Sequence, residues 1–201
     1  MDSRRRVLLL NPPGKDLYIR DYFCSKTTKS NYLFHPIDLL VLSGVFAERH
    51  DTAVLDAIAE RLDAESALAR VITARPDAIV SLVGAVSWEE DRAFLAAARA
   101  ATGAEIHVIG DVAHDGGEAM MESESWVSGC FQSFANGDAL ALVEGATGTC
   151  STRRCAAADA SAARREANNT ARTASRCRAT TYSQRKDIPS PSRAAARSPP
   201  S

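Results

Sequence analysis

An acidic and a basic side chain suited to proton transfer stand close together in one short stretch of the sequence. Asp111 precedes His114 by three residues, and Asp115 follows at once. A carboxylate and an imidazole at this spacing could act as general acid and base near neutral pH. The same side chains could contact a metal ion, but two or three ligands on one loop do not make a closed metal site. We therefore expect a solvated polar loop, and acid–base catalysis by Asp111 and His114 stays open as an alternative.

Cysteine chemistry is not favoured by the number or spacing of the thiols. The chain has five cysteines, an odd number without paired spacing, which argues against the disulfide framework of a secreted protein. Cys24 lies near Lys26 and Lys29, but no general base is close to it in the sequence. We expect Cys24 to be a surface thiol.

Charge and apolar residues are unevenly distributed along the 201 residues. Residues 1–150 carry 13 Lys and Arg against 22 Asp and Glu, whereas residues 151–201 carry 11 against 3. Ile188 is the one residue of the second part drawn from Val, Ile, Leu, Met, Phe and Trp. Such a segment buries too little apolar surface to offset the entropy of ordering its backbone. We predict a folded domain over residues 4–145 and a disordered, Ala/Arg/Ser-rich tail over residues 146–201.

The sequence predicts a protein without a membrane span. Its longest uncharged apolar stretch, residues 78–86, has nine residues, against the ~20 that a spanning helix needs. Four apolar residues before Asn11-Pro12-Pro13 are too few for the core of a signal peptide, so we expect a cytoplasmic protein. The basic tail has one aromatic residue, Tyr182, and we expect no nucleic-acid partner. The oligomeric state is left open.

Short buried strands alternate with helices along residues 4–145. Apolar runs predict strands at residues 6–10, 52–56, 77–83 and 104–109, with a weaker fifth near residues 126–131. Connections of 12 or more residues between buried strands are typical of parallel crossovers. The pattern predicts an α/β fold, a doubly wound (Rossmann or flavodoxin-like) five-stranded parallel sheet.

The helices of this pattern carry start and stop signals. The first begins at Pro36 and runs to about residue 50, after an ordered loop at residues 15–35. Its predicted inward face is Ile37, Leu40, Val41, Gly44 and Val45. Asp63 is the predicted N-cap of the second helix, whose inward face is Leu68, Val71 and Ile72. Ser87 and Glu90 have the spacing of a capping box for the third, which Gly103 ends. Two shorter helices are predicted near residues 117–122 and 137–143.

In such a sheet, ligands bind beyond the carboxyl ends of the strands, at the point where the strand order reverses. The site should therefore consist of three turns, which follow the first, third and fourth strands. The turn after the first strand, Asn11-Pro12-Pro13-Gly14, lacks the Gly-x-Gly-x-x-Gly of dinucleotide sites, and no P-loop motif occurs. A phosphoacceptor domain would need a carboxylate at the end of the third strand, where Leu82 and Val83 stand. The turns after the third and fourth strands consist mainly of small or apolar residues, as expected beneath a wide, flat ligand.

The same segments resemble the N-terminal cobalamin-binding domain of B12-dependent radical SAM enzymes, over residues 4 to about 145. The resemblance rests on Leu8-Leu9-Leu10-Asn11-Pro12-Pro13, Phe34-His35-Pro36-Ile37-Asp38-Leu39-Leu40, Asp56-Ala57, Gly84-Ala85-Val86-Ser87-Trp88 and Gly110-Asp111. It implies that cobalamin is the cofactor and lies on these turns. The implied contact residues are Asn11, Pro12, Pro13, Gly14, His35, Gly84, Ala85, Val86, Ser87, Trp88, Gly110, Asp111 and Val112.

The chain departs from the resembled family in two respects. Many cobalamin domains place a histidine below cobalt through Asp-x-His-x-x-Gly after the first strand, and this motif is missing there. We expect no histidine of the domain to ligate cobalt. The intact family also binds a [4Fe–4S] cluster and S-adenosylmethionine through Cys-x3-Cys-x2-Cys, a triplet that this sequence lacks.

The composition of the tail offers an explanation for that second departure. An Ala/Arg/Ser/Thr/Pro-rich end that starts abruptly is typical of GC-rich coding sequence read out of frame, so we expect a frameshifted or truncated product. The chain should then bind cobalamin and catalyse nothing. Two alternatives stay open: a small flavodoxin-like enzyme that uses Asp111 and His114, and an interaction module without a ligand.

Overall fold

The computed structural model describes residues 4–21, 25–30, 33–135, 137–145 and 153–154. In chain order its elements are β1 (Arg6–Asn11), β2 (Tyr18–Arg20), β3 (Ser25–Thr27), α1 (Ile37–Ala47), β4 (Asp51–Asp56), α2 (Ala64–Ala74), β5 (Ala78–Leu82), α3 (Trp88–Thr102), β6 (Glu105–Ile109), α4 (Asp111–Ser123), β7 (Val127–Cys130), α5 (Asp138–Val143) and β8 (Arg153–Arg154).

Five of the strands form an all-parallel sheet in the order β4-β1-β5-β6-β7. Counted among the parallel strands alone, this is the order 2-1-3-4-5, in which the winding reverses between β1 and β5. The short strand β8 adds to β7 in the antiparallel direction. The predicted doubly wound fold is thereby confirmed, and the reversal point fixes where a ligand crevice belongs.

Apolar side chains cover both faces of the sheet. On one face Leu39, Leu42 and Phe46 of α1 pack with α5 against β1 and β5. On the other face α2, α3 and α4 bury a second cluster that includes Leu95 and Ile106. All five residues of β5 are buried, as expected of a central strand in a parallel sheet.

The predicted inward face of the first helix is wrong. Ile37, Leu40 and Val41 are exposed, and the buried apolar positions are Leu39, Leu42 and Phe46. Apolar residues surround nearly the whole of α1, so their spacing does not single out one face. On α2, likewise, Ala67 and Val71 are buried while Ile72 is exposed.

Three other local predictions need correction. Residues 15–35 are more than a loop, because β2 and β3 within them form an antiparallel hairpin. The fourth helix is longer than predicted, since α4 continues across a kink at Gly116. The capping box fails although Ser87 does precede α3. Its side chain caps no helical amide, and Glu90 bonds to the hairpin segment instead.

From residue 146 onward, the structure describes two residues. Arg153 and Arg154 lie within the predicted tail and form β8, while the other residues from 146 onward lie outside the described residues. None of the helices in the described part of the chain combines the length and apolar character that a bilayer span needs.

Candidate functional site

The turns after β5 and β6 meet at the carboxyl edge of the sheet. A Cβ atom on Gly110 would lie 1.9 Å from the carbonyl oxygen of Val83, so the two backbones touch where only glycine fits. The φ of Gly110 is +144°, a further reason for glycine. We call the backbone of Gly84, Ala85, Val86, Gly110 and Asp111 the shelf. The two turns are in contact, and the side chains at Gly84, Ala85 and Gly110 are small or absent.

The β2–β3 hairpin lies on this shelf. An added Cβ on Gly84 would come within 2.6 Å of the Ser25 Cβ. An added Cβ on Gly14 would come within 2.4 Å of the Tyr18 ring. Two glycines of the predicted site are therefore in direct contact with side chains of the hairpin. Loop prediction for residues 15–35 gave no indication of this cover.

Arg20 of the hairpin reaches the reversal point between β1 and β5. Its guanidinium donates to the Asn11 side chain (2.9 Å) and to the Pro12 carbonyl (3.0 Å) at the end of β1. On the β5 side it forms a bidentate ion pair with Asp91 of α3, at 2.5 and 3.1 Å. Both charged side chains are fully buried. The crevice that parallel sheets offer to ligands is thus filled, in this conformation, by the protein's own ion pair.

Asp91 accepts two further hydrogen bonds from the turn after β5. It accepts from the Ser87 hydroxyl (2.7 Å) and from the Gly84 amide (3.0 Å). Burial raises the pKa of Asp91, and the attraction of Arg20 opposes that rise. The two predicted site residues Ser87 and Gly84 therefore hold a carboxylate of the protein itself.

Asp111 connects the hairpin to the shelf. Its carboxylate accepts from the amides of Ala85 (2.9 Å) and Val112 (2.8 Å) and from both the amide and the hydroxyl of Ser25 (2.7 and 2.8 Å). The Ser25 hydroxyl in turn accepts from the Val86 amide (3.1 Å). Ser25 thus bridges the two turns that make the shelf.

Tyr18 and Glu90 form a third attachment of the hairpin. The Tyr18 hydroxyl donates to Glu90 (3.0 Å), which also accepts from the Lys15 amide (2.8 Å). Burial, followed by the hydrogen bond to Glu90, raises the pKa of Tyr18 to about 12. The Arg20 guanidinium lies 5.3 Å from the centre of the Tyr18 ring, within the range of a cation–π contact.

A cleft of about 280 Å³ lies on the other side of the hairpin, beyond the ends of β1 and β4. Its walls include Asn11, Lys26, His35, Asp38 and Asp56. Asn11 donates to Asp56 across the ends of these two strands (2.8 Å). His35 is exposed and lines this cleft, so the structure brings it to the carboxyl edge together with Asn11.

The remaining predicted site residues have varied surroundings. Pro12 and Pro13 are buried and direct carbonyl oxygens at Arg20. Trp88 packs against Trp126, with 6.4 Å between ring centres, and helps to cover the core. Val112 is half-buried against the same cluster. Trp88 and Val112 therefore contribute to packing beside the shelf.

The acid–base pair of the alternative function does not form one hydrogen-bonded unit in the described contacts. Asp111 bonds to Ser25 and to backbone amides, whereas Nδ1 of His114 contacts Asp115 at 2.8 Å. Both His114 and Asp115 are exposed. Within the described ranges, no group of three or more His, Cys, Asp and Glu side chains is placed to hold a metal ion.

Sequence reasoning missed the residues that organise this edge: Tyr18, Arg20, Ser25, Glu90 and Asp91. One signal was available in α3, where Asp91 lies on the same helical face as Leu95 and Ala98, among buried positions. A carboxylate on an inward face requires a buried partner. The sequence did not indicate that this partner is Arg20.

A scan against models of protein families finds no match to this chain, and neither does a search of curated proteins.

Proposed function

We propose that this domain binds a cobalamin at the carboxyl edge of its sheet, on the shelf and the adjoining ends of β1 and β4. The observation that carries the proposal is the backbone contact of Gly110 with Val83, which joins the turns after β5 and β6 beside the reversal point of the sheet. Small residues at Gly84, Ala85 and Gly110 leave little side-chain bulk on these two turns, and the amides of Ala85 and Val86 belong to exposed residues. A macrocycle fringed with carboxamide arms requires such a surface, because each arm can exchange hydrogen bonds with backbone groups.

The residues we assign to the ligand fall into two groups. Gly84, Ala85, Val86, Gly110 and Asp111 would lie under the macrocycle, and Asn11 and His35 would face it from the cleft side. The amides of Ala85 and Val86 already bond to side chains rather than to the sheet, so a ligand oxygen could replace those partners. We propose that no histidine of the domain ligates cobalt.

The resemblance to B12-dependent radical SAM enzymes indicates the chemistry in which a bound cobalamin would take part. Bound cobalamin supplies a cobalt centre for radical or group-transfer chemistry, while the protein supplies orientation and electrostatics. The 201 residues contain no Cys-x3-Cys-x2-Cys. We therefore propose that this chain contributes cofactor binding and that the iron–sulfur and S-adenosylmethionine chemistry of the resembled family lies outside it.

The flavodoxin-like catalyst is the weaker candidate. Asp111 would need to exchange a proton with substrate, yet its oxygens accept four hydrogen bonds from the protein. If the domain is an interaction module without a ligand, we expect neither cofactor binding nor turnover.

Reconstitution with hydroxocobalamin separates these functions. A corrinoid absorbance spectrum that stays with the protein through gel filtration supports cobalamin binding. Turnover without added cofactor that is lost in Asp111→Asn and in His114→Ala supports the catalyst. Protein that elutes without corrinoid overturns the proposal.

A further inference from the structure

The β2–β3 hairpin separates the two halves of the candidate site. Ser25 lies on Gly84 on the shelf side, while the cleft on the other side is lined by Ile19 and Lys26 and also by Tyr18 and Arg20. The cleft of about 280 Å³ is at the lower limit for drug-sized ligands. A corrin with its side arms and nucleotide is larger than such ligands. With the hairpin in this position, the cleft alone is too small to hold the macrocycle.

The face that the hairpin turns towards the sheet carries its attachments. Arg20 and Ser25 are directly paired across the two strands, and Tyr18 is two residues from Arg20, so all three side chains share that face. They contact Asp91, Asp111 and Glu90 respectively. These three carboxylates belong to the starts of α3 and α4 and not to the hairpin.

Polar contacts rather than strand pairing hold the hairpin in place. Each of its strands has three residues, and the two pair only with each other, apart from the main sheet. A two-stranded hairpin of this length has little stability of its own. Its position therefore depends on the packing of the Tyr18 ring against Gly14 and on hydrogen bonds and one ion pair. The polar contacts can be exchanged for others when the hairpin moves.

We propose that the hairpin is a gate, closed in this structure, whose displacement joins the cleft to the shelf and admits the ligand. The inference rests on the proposed function, because it assigns a control element to the same site. In the closed state Ser25 occupies the space over Gly84 and accepts from the Val86 amide that a ligand arm would use. Only the open state binds the ligand, so the apparent affinity falls as the fraction of closed molecules rises.

A reversible crosslink tests the gate. The double variant Ser25→Cys/Gly84→Cys places two thiols where the serine Cβ and an ideal Gly84 Cβ are 2.6 Å apart. A disulfide needs about 3.8 Å between Cβ atoms, so it forms after a hairpin shift of about 1 Å. Cys24, Cys150, Cys155 and Cys177 are changed to serine, and the buried Cys130 is retained. The oxidised and reduced forms of one chain are then titrated with cyanocobalamin, whose cyanide ligand keeps the thiols of the reduced form from displacing a labile ligand on cobalt, after the reductant has been removed.

A second variant opens the gate without substituting a residue of the shelf. Ser25→Asp sets a carboxylate against Asp111, whose oxygen lies 2.8 Å from the serine hydroxyl. Faster amide hydrogen exchange in residues 17–20 and 25–28 confirms that the hairpin is displaced. We expect at least about tenfold tighter binding by this variant than by the wild type, because the closed population is lost.

The outcomes separate the gate from the proposed function. Binding by the reduced crosslink variant but not by its oxidised form, with tighter binding by Ser25→Asp, supports the gate. Equal binding by oxidised and reduced forms, or wild-type affinity in Ser25→Asp, overturns the gate while cobalamin binding stands. No corrinoid binding by any form, with the hairpin open in Ser25→Asp, overturns the proposed function and the gate with it.

Discussion

The guanidinium of Arg20 and the carboxylate of Asp91 form an ion pair that is fully buried at the point where the winding of the sheet reverses. Arg20 comes from a short hairpin, and Asp91 from the first turn of α3. The pair therefore connects a peripheral segment to the centre of the fold, and the stability of the domain should depend on both partners.

Removing one member of this pair is expected to be costly. Arg20→Met leaves the Asp91 carboxylate buried without its counter-ion and should lower the free energy of unfolding by about 3–5 kcal/mol. The double variant Arg20→Met/Asp91→Leu removes both charges and should recover a large part of that loss. Urea denaturation of the three proteins measures the difference. A double variant less stable than Arg20→Met would contradict this account of the pair.

Steric contact between Gly84 and the hairpin gives a second prediction. Gly84→Ala places a methyl group 2.6 Å from the Ser25 Cβ and 3.0 Å from its hydroxyl, so we expect a destabilisation of about 1–3 kcal/mol. In a Ser25→Gly background both contacting atoms are absent, and the same alanine should cost less. Gly44→Ala is the matched control, since nothing lies within 4 Å of its added Cβ. There the gain in helix propensity should stabilise the protein by about 0.5–1 kcal/mol. Additive effects of the Ser25 and Gly84 changes would show that the two residues do not touch.

The phenol of Tyr18 reports on the attachment of the hairpin. Its pKa of about 12 should appear in an alkaline titration of tyrosinate absorbance, taken as the difference between the wild type and Tyr18→Phe. Glu90→Gln removes the charged acceptor and should move the titration towards 10, the ordinary value for tyrosine. The shift should be partial because burial of the ring remains. A difference titration centred at 10 in the wild type would mean that Tyr18 is not held against Glu90.

Glu105, at the amino-terminal end of β6, makes the stability of the domain depend on pH. Contacts with His107 and Arg5 lower the pKa of Glu105 to about 2, from an ordinary value of 4.5. The charged form therefore stabilises the folded state above pH 4.5, and this contribution is lost as the pH falls towards 2. Glu105→Gln should be less stable than the wild type at pH 7 and should lose less stability on acidification. Denaturant midpoints at several pH values measure both effects, with the exposed Glu48→Gln as control. Parallel pH profiles for Glu105→Gln and the wild type would contradict the assignment.

Strands could be predicted from the sequence where both faces of the strand are buried. Residues of β5 other than Ser81 are apolar, and a short apolar run between turn residues has few alternatives to a central parallel strand. The N-cap at Asp63 and the stop at Gly103 were also predictable, because each depends on local chemistry. Asp63 accepts from the Ser66 amide at 2.8 Å, and Gly103 adopts a φ of +70°.

The occupant of the crevice could not be predicted because it depends on contacts between residues far apart in sequence. Arg20 and Asp91 are separated by 71 positions, and Ser25 and Asp111 by 86. Neither pair leaves a periodic signal. The resemblance implies that Gly14 and Gly84 contact a ligand, whereas in the structure side chains of the hairpin contact both glycines.

Cobalamin binding on the shelf is tested most directly by titration of the purified protein with hydroxocobalamin, alongside two tryptophan variants. Ala85 is exposed on the shelf, so Ala85→Trp should block the macrocycle, whereas Ala100→Trp, at an exposed position of α3, should not. We predict saturable, stoichiometric binding by the wild type and Ala100→Trp and at least about a hundredfold weaker binding by Ala85→Trp, about 2.7 kcal/mol. Equal binding by all three proteins, or by none of them, would contradict the proposed site.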